Sequence, residues 1–198
     1  MIHNYIFLVH FICYWLMVYL YDKDVNKNDH KIAIKSSFKN QFLITYPVLF
    51  LFFNYYPINY NNFYLSFLSY PIIILTGDIY FYLLHRPFHS KLLYQYHSHH
   101  HQGEVCVAKS LDADSLEHLI CNIGSLLSGV VLLWYFNFII NIYVFSIWIG
   151  IATINTCISH SNKRCFLDSG AHFNHHKFRN CNYGFGLYIL DKILGTYN

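Results

Sequence analysis

The stretch Gly77–His101, GDIYFYLLHRPFHSKLLYQYHSHHH, joins the end of an apolar run to two groups of histidines, His85/His89 and His97/His100/His101. A third group, His172/His175/His176, repeats the spacing of the second near the C-terminus. The 198-residue chain carries 14 histidines, and eight of them fall in these three clusters beside membrane-length apolar segments. Together these features predict a metal site at a membrane surface.

Outward from that stretch the chain reads as one polytopic membrane protein, all-α. It is 55% hydrophobic and 20% aromatic. Charged residues make up only 12%, against roughly a quarter in a soluble domain. A bilayer core takes ~20 apolar residues as helix. The candidate spans are 5–21, 42–58, 63–84, 119–136 and 138–158. The second and third are separated by Asn59–Asn62 and the last two by little more than Asn137, so each pair reads as a helical hairpin. Four to five transmembrane helices follow; in the four-helix version residues 5–21 lie in the interface. The start lacks a basic region and a small-residue cleavage site, which predicts a retained helix and not a cleaved signal. Residues 1–62 form an N-terminal membrane unit with a polar loop helix over 23–40, and residues 63–198 the remaining, histidine-bearing unit.

The charges divide the chain independently of hydropathy. All 13 Lys/Arg lie in segments 23–39, 86–109 and 163–192, and the two hairpin tips carry none. If five spans alternate, the three basic segments share one face, which the positive-inside rule assigns to the cytosol. The N-terminus then lies outside and the histidine-rich cap faces the cytosol. A formal charge of +3 with no dense basic run argues against nucleic acid. Six cysteines without a CxxC pair predict buried or free thiols in a reducing compartment.

In HSHHH and HFNHH, residues spaced i, i+3 and i+4 would share one face of a helix and converge on metal. One such triplet supplies about half the ligands of a dinuclear site, two supply most of them, and His160 approaches from the membrane side. Imidazole suits Fe, Zn, Cu and Ni alike. Each ligating ring must be neutral, with its second nitrogen partnered. Asp78, Asp112, Asp114, Glu117 and Asp168 are available for that, and Glu117 also as a direct ligand. Pro87 predicts a break or restart of the helix between His85 and His89. Pro71 and Gly77 predict a kink or partial opening within the 63–84 span, and Asp78 in the same run is a functional candidate by default. His99 reads as outer or solvated, and His118 as evenly balanced between site and structure. His3, His10 and His30 read as incidental.

At these residues the chain resembles the fatty acid hydroxylase/sterol desaturase superfamily. Its first signature, D-x3-Y-x2-HR-x2-H, is matched by Asp78, Tyr82, His85, Arg86 and His89. The LY-x2-H-x2-HH block is matched by Leu93, Tyr94, His97, His100 and His101. The last block, H-x2-HH followed by NYG and D-x3-GT, is matched by His172, His175, His176, Asn182, Tyr183, Gly184, Asp191, Gly195 and Thr196. Ser98 replaces a lysine of many relatives, DADSLE over 112–117 replaces their HPxE, and Thr156 stands where some fatty acid hydroxylases have a further histidine.

The resemblance implies a catalytic domain over 63–198 with two non-haem Fe ions, for which Zn can substitute in purified protein. That pair would activate O2 against a lipid C–H bond, with no catalytic side chain beyond the metal centre. It implies His85, His89, His97, His100, His101, His160, His172, His175 and His176 as metal ligands. Asp78, Tyr82, Glu117, His118, Asn182 and Tyr183 are then the outer-shell or substrate residues. Electrons would come from NAD(P)H through a separate carrier such as cytochrome b5, at the endoplasmic reticulum membrane. The His101–Gln102 context is closer to sterol side-chain hydroxylases than to C-4 methyl oxidases, so hydroxylation of a sterol or related lipid is expected, with desaturation and fatty acid or sphingolipid substrates next. Two other classes compete: a histidine-rich metal-handling or transport protein, which needs polar residues lining a mid-membrane path, and a degenerate family member that only binds lipid.

Overall fold

The computed structural model describes residues 2–164 and 169–198; Cys165 and Asp168 therefore lie outside the described residues. It is all-helical, with no strand among the described residues. Helix α1 (Ile2–Tyr21) leads to α2 (Lys27–Asn40), which passes through a wide turn, Gln41–Thr45, into α3 (Tyr46–Tyr55). A short α4 (Phe63–Ser66) tightens over Phe67–Ser69 and opens into α5 (Tyr70–Phe88). After a loop of turns come α6 (Ser115–Glu117), a second wide turn His118–Ile123, α7 (Gly124–Tyr135) and α8 (Ile142–Ser159). Helices α9 (Ala171–Phe178) and α10 (Ile189–Ile193) close the chain.

Four helical runs among the described residues are long and apolar enough to cross a membrane: Ile2–Tyr21, Phe63–Phe88, Ser115–Tyr135 and Ile142–Ser159. Twenty residues at 1.5 Å each give α1 about 30 Å, the thickness of a hydrocarbon core. The expected span over 42–58 is not among them. Its apolar part, Gln41–Tyr55, extends only about 22 Å, because the turns before it are drawn into the polar α2. It packs along α1 all the same, with Trp15 Nε1 donating to Gln41 (3.0 Å) and the Tyr46 hydroxyl donating to Asn4 (2.9 Å). The N-terminal helix is thus one of the four runs with the length and composition of a span.

At one end the hairpins meet. Asn141 donates its side-chain amide to the Asn61 carbonyl and its backbone N–H to the Ser66 hydroxyl, while the Tyr56 hydroxyl accepts from Ile140 N–H. At the other end lies the cap. Helix α2 lies along the loop through residues 104–113, with Ser37 donating to Ala108 O and Asn40 to Leu111 O and Ala113 O. Asp22, at the end of α1, accepts the amides of Val107 and Ala108. The predicted loop helix over 23–40 is therefore present and roofs the histidine loop.

One sequence expectation about α5, a break at Pro87, is corrected. Pro71 occupies the first turn, where no intrahelical N–H is missed, and Gly77 sits within a continuous helix. There it serves close packing, since a Cβ at Gly77 would lie 3.1 Å from Ser125 O on α7. The helix does not break at Pro87. It runs on to Phe88 with His89 as its cap, because a proline in the last turn forfeits one hydrogen bond where the helix is already ending.

Candidate metal centre

The cap gathers nine histidines into two sets. His85, His89, His97, His101 and His175 form one; His100, His160, His172 and His176 form the other. Within each set the offered nitrogens all lie within 4.8 Å of one another. These are the nine histidines that spacing and resemblance single out, and no other residue among those described joins them.

Helix α5 supplies His85 and His89, one turn apart at its C-terminal end, so the uninterrupted helix gives them a common face. The α8 helix ends at Ser159, and its cap residue His160 turns toward the site. Helix α9 carries His172, His175 and His176. The second triplet corrects an expectation, since His97, His100 and His101 stand on successive turns and not on an α-helix. Both triplets are divided between the sets: His97 and His101 in one with His100 in the other, and His172 and His176 in one with His175 in the other.

Backbone carbonyls fix the ring tautomers. His85 Nδ1 donates to Tyr183 O (2.8 Å) and His175 Nδ1 to Cys181 O (2.7 Å). His100 Nδ1 donates to Asp112 O (3.0 Å) and His160 Nδ1 to Thr156 O (2.9 Å). A carbonyl only accepts, so in each neutral ring the proton is on Nδ1 and Nε2 is a bare lone pair. Yet His100 Nε2 and His160 Nε2 face each other at 3.4 Å. In the first set His85 Nε2 is 3.1 Å from His97 Nε2, and His175 Nε2 is 3.1 Å from His89 Nε2. Where carbonyls hold the proton on Nδ1 of both rings, as for His100 and His160, two Nε2 lone pairs converge with no proton between them, which is the geometry of a cation site. His172 Nδ1 and both ring nitrogens of His176 are buried with no hydrogen-bond partner. The donor set therefore fits metal, and all-imidazole ligation suits Fe, Zn, Cu or Ni.

Electrostatics agree. Burial pushes the titration of His89 down to about 2, of His101 to about 3 and of His160 to about 4. His97, His100, His172, His175 and His176 are lowered as well, by burial first and by neighbouring histidines next. The rings are neutral at pH 7, as metal ligation requires.

Around this core the other singled-out residues divide. Glu117 Oε1 accepts from His97 Nδ1 at 2.7 Å, and its Oε2 is buried without a partner. Tyr183 acts through its carbonyl, and its ring lies 5.1 Å from that of His89. Asp112 takes His99 Nε2 (2.7 Å) and Lys109 Nζ (3.0 Å), leaving its carbonyl for His100. Asp78 bonds no histidine: it accepts the amides of Phe185, Tyr188 and Ile189 and ties the C-terminal segment to α5. Asn182 bonds Ala171 O and Asn198, and the Tyr82 hydroxyl accepts from Arg86 (2.6 Å) and lies 3.4 Å from Thr196 Oγ1, so both touch the same segment. Asp114 caps α6 through Leu116 N–H. His118 bonds Thr45 and Asn122 and stays outside both sets.

An apolar cavity of about 100 Å³ reaches the site from between the membrane helices. Its walls include Ile74 and Phe81 of α5, Leu126 of α7 and Trp148 of α8, and it ends on His100, His160 and His172. His10, read as incidental, is buried in this wall, hydrogen-bonded to Thr153 (2.9 Å) and near Gln41 Nε2 (3.4 Å). A lone histidine in an apolar run gives no periodic signal, and nothing in the sequence distinguishes it. The carbonyls of Cys181, Tyr183, Asp112 and Thr156 were equally invisible, since any residue type offers one.

A sequence model described as fatty acid hydroxylase matches residues 70–196, well over half of the chain. No curated protein and no solved structure matches it.

Proposed function

The chain belongs to the fatty acid hydroxylase family, and on that premise we propose that it is an integral-membrane oxygenase that hydroxylates a lipid C–H bond, a sterol or related lipid before a fatty acid or sphingolipid. Desaturation is the neighbouring outcome of the same chemistry. The observation that carries this reading is the cavity between α1, α5, α7 and α8, apolar along its walls and closed by His100, His160 and His172. At about 100 Å³ it is below the roughly 300 Å³ of a site that swallows a whole small ligand. It fits the reacting end of a chain whose remainder stays in the bilayer.

Two iron ions held by the two histidine sets would activate O2 against the C–H bond. The protein's own part is to bind, orient and exclude water. Phe81, Leu126 and Trp148 hold the apolar segment against the histidines, and Glu117 fixes the His97 ring. Electrons would come from NAD(P)H through a separate carrier such as cytochrome b5. The proposed membrane is that of the endoplasmic reticulum, and a cytosolic cap is supported by the basic residues near the cap end: Lys23 and Lys27 to Lys39 on or before α2, Arg86 at the end of α5, and Lys109 in the loop.

The test is lipid profiling of cells expressing the protein or its His175→Ala variant. A hydroxylated or desaturated lipid that appears only with the parent chain is expected. Identical profiles would overturn the reading.

A further inference from the structure

The two histidine sets are not equivalent. One offers five imidazoles and the other four, among the described residues. The cavity distinguishes them in the same sense. Three of the four members of the smaller set, His100, His160 and His172, line it, whereas His85, His89, His97, His101 and His175 do not. The set with fewer donors is the set that meets the apolar space.

Thr156 explains the difference locally. It lies four residues before His160 on α8, on the same helical face, and it too lines the cavity. At that spacing an imidazole pair on one helix binds a single metal. Threonine offers none. Its hydroxyl donates to Ala152 O at 2.9 Å, and its carbonyl takes the Nδ1 proton of His160. The side chain is turned back onto its own helix, and the place beside His160 is left to whatever enters from the cavity.

We infer that the four-histidine set His100/His160/His172/His176 is the position that keeps a coordination place open toward the substrate cavity, and that Thr156 keeps it open. The five-histidine set is the closed partner that supports it. Metal sites divide in this way between closed structural positions and catalytic ones that retain an open place. The inference rests on the metal-dependent reading above.

Azide on the cobalt(II)-loaded protein in detergent tests it without reference to turnover. Two cobalt ions and one azide per chain are expected. In Thr156→His, with two cobalt ions retained, azide binding should fall at least tenfold, because the introduced imidazole takes the open place. Stepwise removal of cobalt by a chelator gives a second measurement on the parent chain alone: the azide band should vanish with the first cobalt to leave. Two azides per chain, none, undiminished binding in Thr156→His, or a band that survives until the second cobalt leaves would each overturn the inference while the metal reading stands. A parent chain that takes up no cobalt removes that reading and this inference with it.

Discussion

His100 and His101 are adjacent in the chain and belong to different metal sets. His101 Nε2 lies 2.8 Å from His97 Nε2, while His100 Nε2 faces His160 Nε2 at 3.4 Å. One loop thus ties the two sets together, and α9 does so again with His175 and His176. The sets are positioned relative to each other by chain connectivity as well as by packing.

From this division follows a stoichiometric prediction. His176→Ala removes a donor from the four-membered set only, and His89→Ala from the five-membered set only. Iron content in purified protein should fall from about two per chain to about one in each. The two variants should differ in which ion remains, readable by Mössbauer spectra. Loss of both ions in both variants would mean that the sets act as a single site.

Glu117→Gln isolates the carboxylate. The amide oxygen still accepts from His97 Nδ1, so the ring stays in place, but the negative charge that makes the imidazole a stronger donor is gone. Such partners typically contribute about 10–100-fold in metal affinity. A loss of that size in a competitive chelator titration is expected, with helix content unchanged. Undiminished affinity would make Glu117 a packing residue.

Acid should destabilise the metal-free protein. His89, His101 and His160 titrate near 2, 3 and 4 when folded, and near ~6.5 when unfolded. Between those values the unfolded chain binds more protons, so stability falls as pH falls. It is intact above pH ~6.5 and declines steadily below it. The thermal midpoint of apoprotein in detergent, followed from pH 7.5 to 5, should drop across that interval. A flat profile would contradict the burial that lowers these rings.

How much of this was legible in the sequence differs by level. The histidines were readable because metal needs one residue type in quantity, and spans were readable because bilayers need long apolar runs. The continuity of α5 through Pro87 was not, because a proline's cost depends on how far the helix continues beyond it. The division of each triplet between two sets was also hidden. A spacing of i, i+3, i+4 describes one face of one helix, whereas His97–His101 runs through turns. Asp78 looked like a site residue because a carboxylate in an apolar run needs a partner, and its partners are the amides of Phe185, Tyr188 and Ile189.

That anchoring carries a prediction of its own. In Asp78→Asn the amide NH2 must face a backbone N–H that formerly met a carboxylate oxygen. Losing charge-assisted hydrogen bonds costs about 1–3 kcal/mol. The segment so loosened includes Tyr183, whose carbonyl holds His85. Stability and metal content should fall together, whereas a change in neither would mean that the segment is held from elsewhere.

The α5–α7 contact allows a sharper steric test. A Cβ on Gly129 would sit 2.5 Å from the Cα of Ile73, a backbone atom that cannot swing aside. A Cβ on Gly124 would meet the Tyr80 ring and hydroxyl at comparable distances, but that side chain is able to rotate away. Gly129→Ala must therefore push the helices apart, at a cost of about 1–3 kcal/mol for overpacking, while Gly124→Ala should cost less. Because α5 carries His85 and His89 and α7 carries part of the cavity wall, separating them also widens the cavity that ends on His100 and His160. Denaturant midpoints in detergent should rank parent above Gly124→Ala above Gly129→Ala. The reverse order for the two glycines would show that α5 and α7 are not held at the close approach that brings the cavity to the histidines.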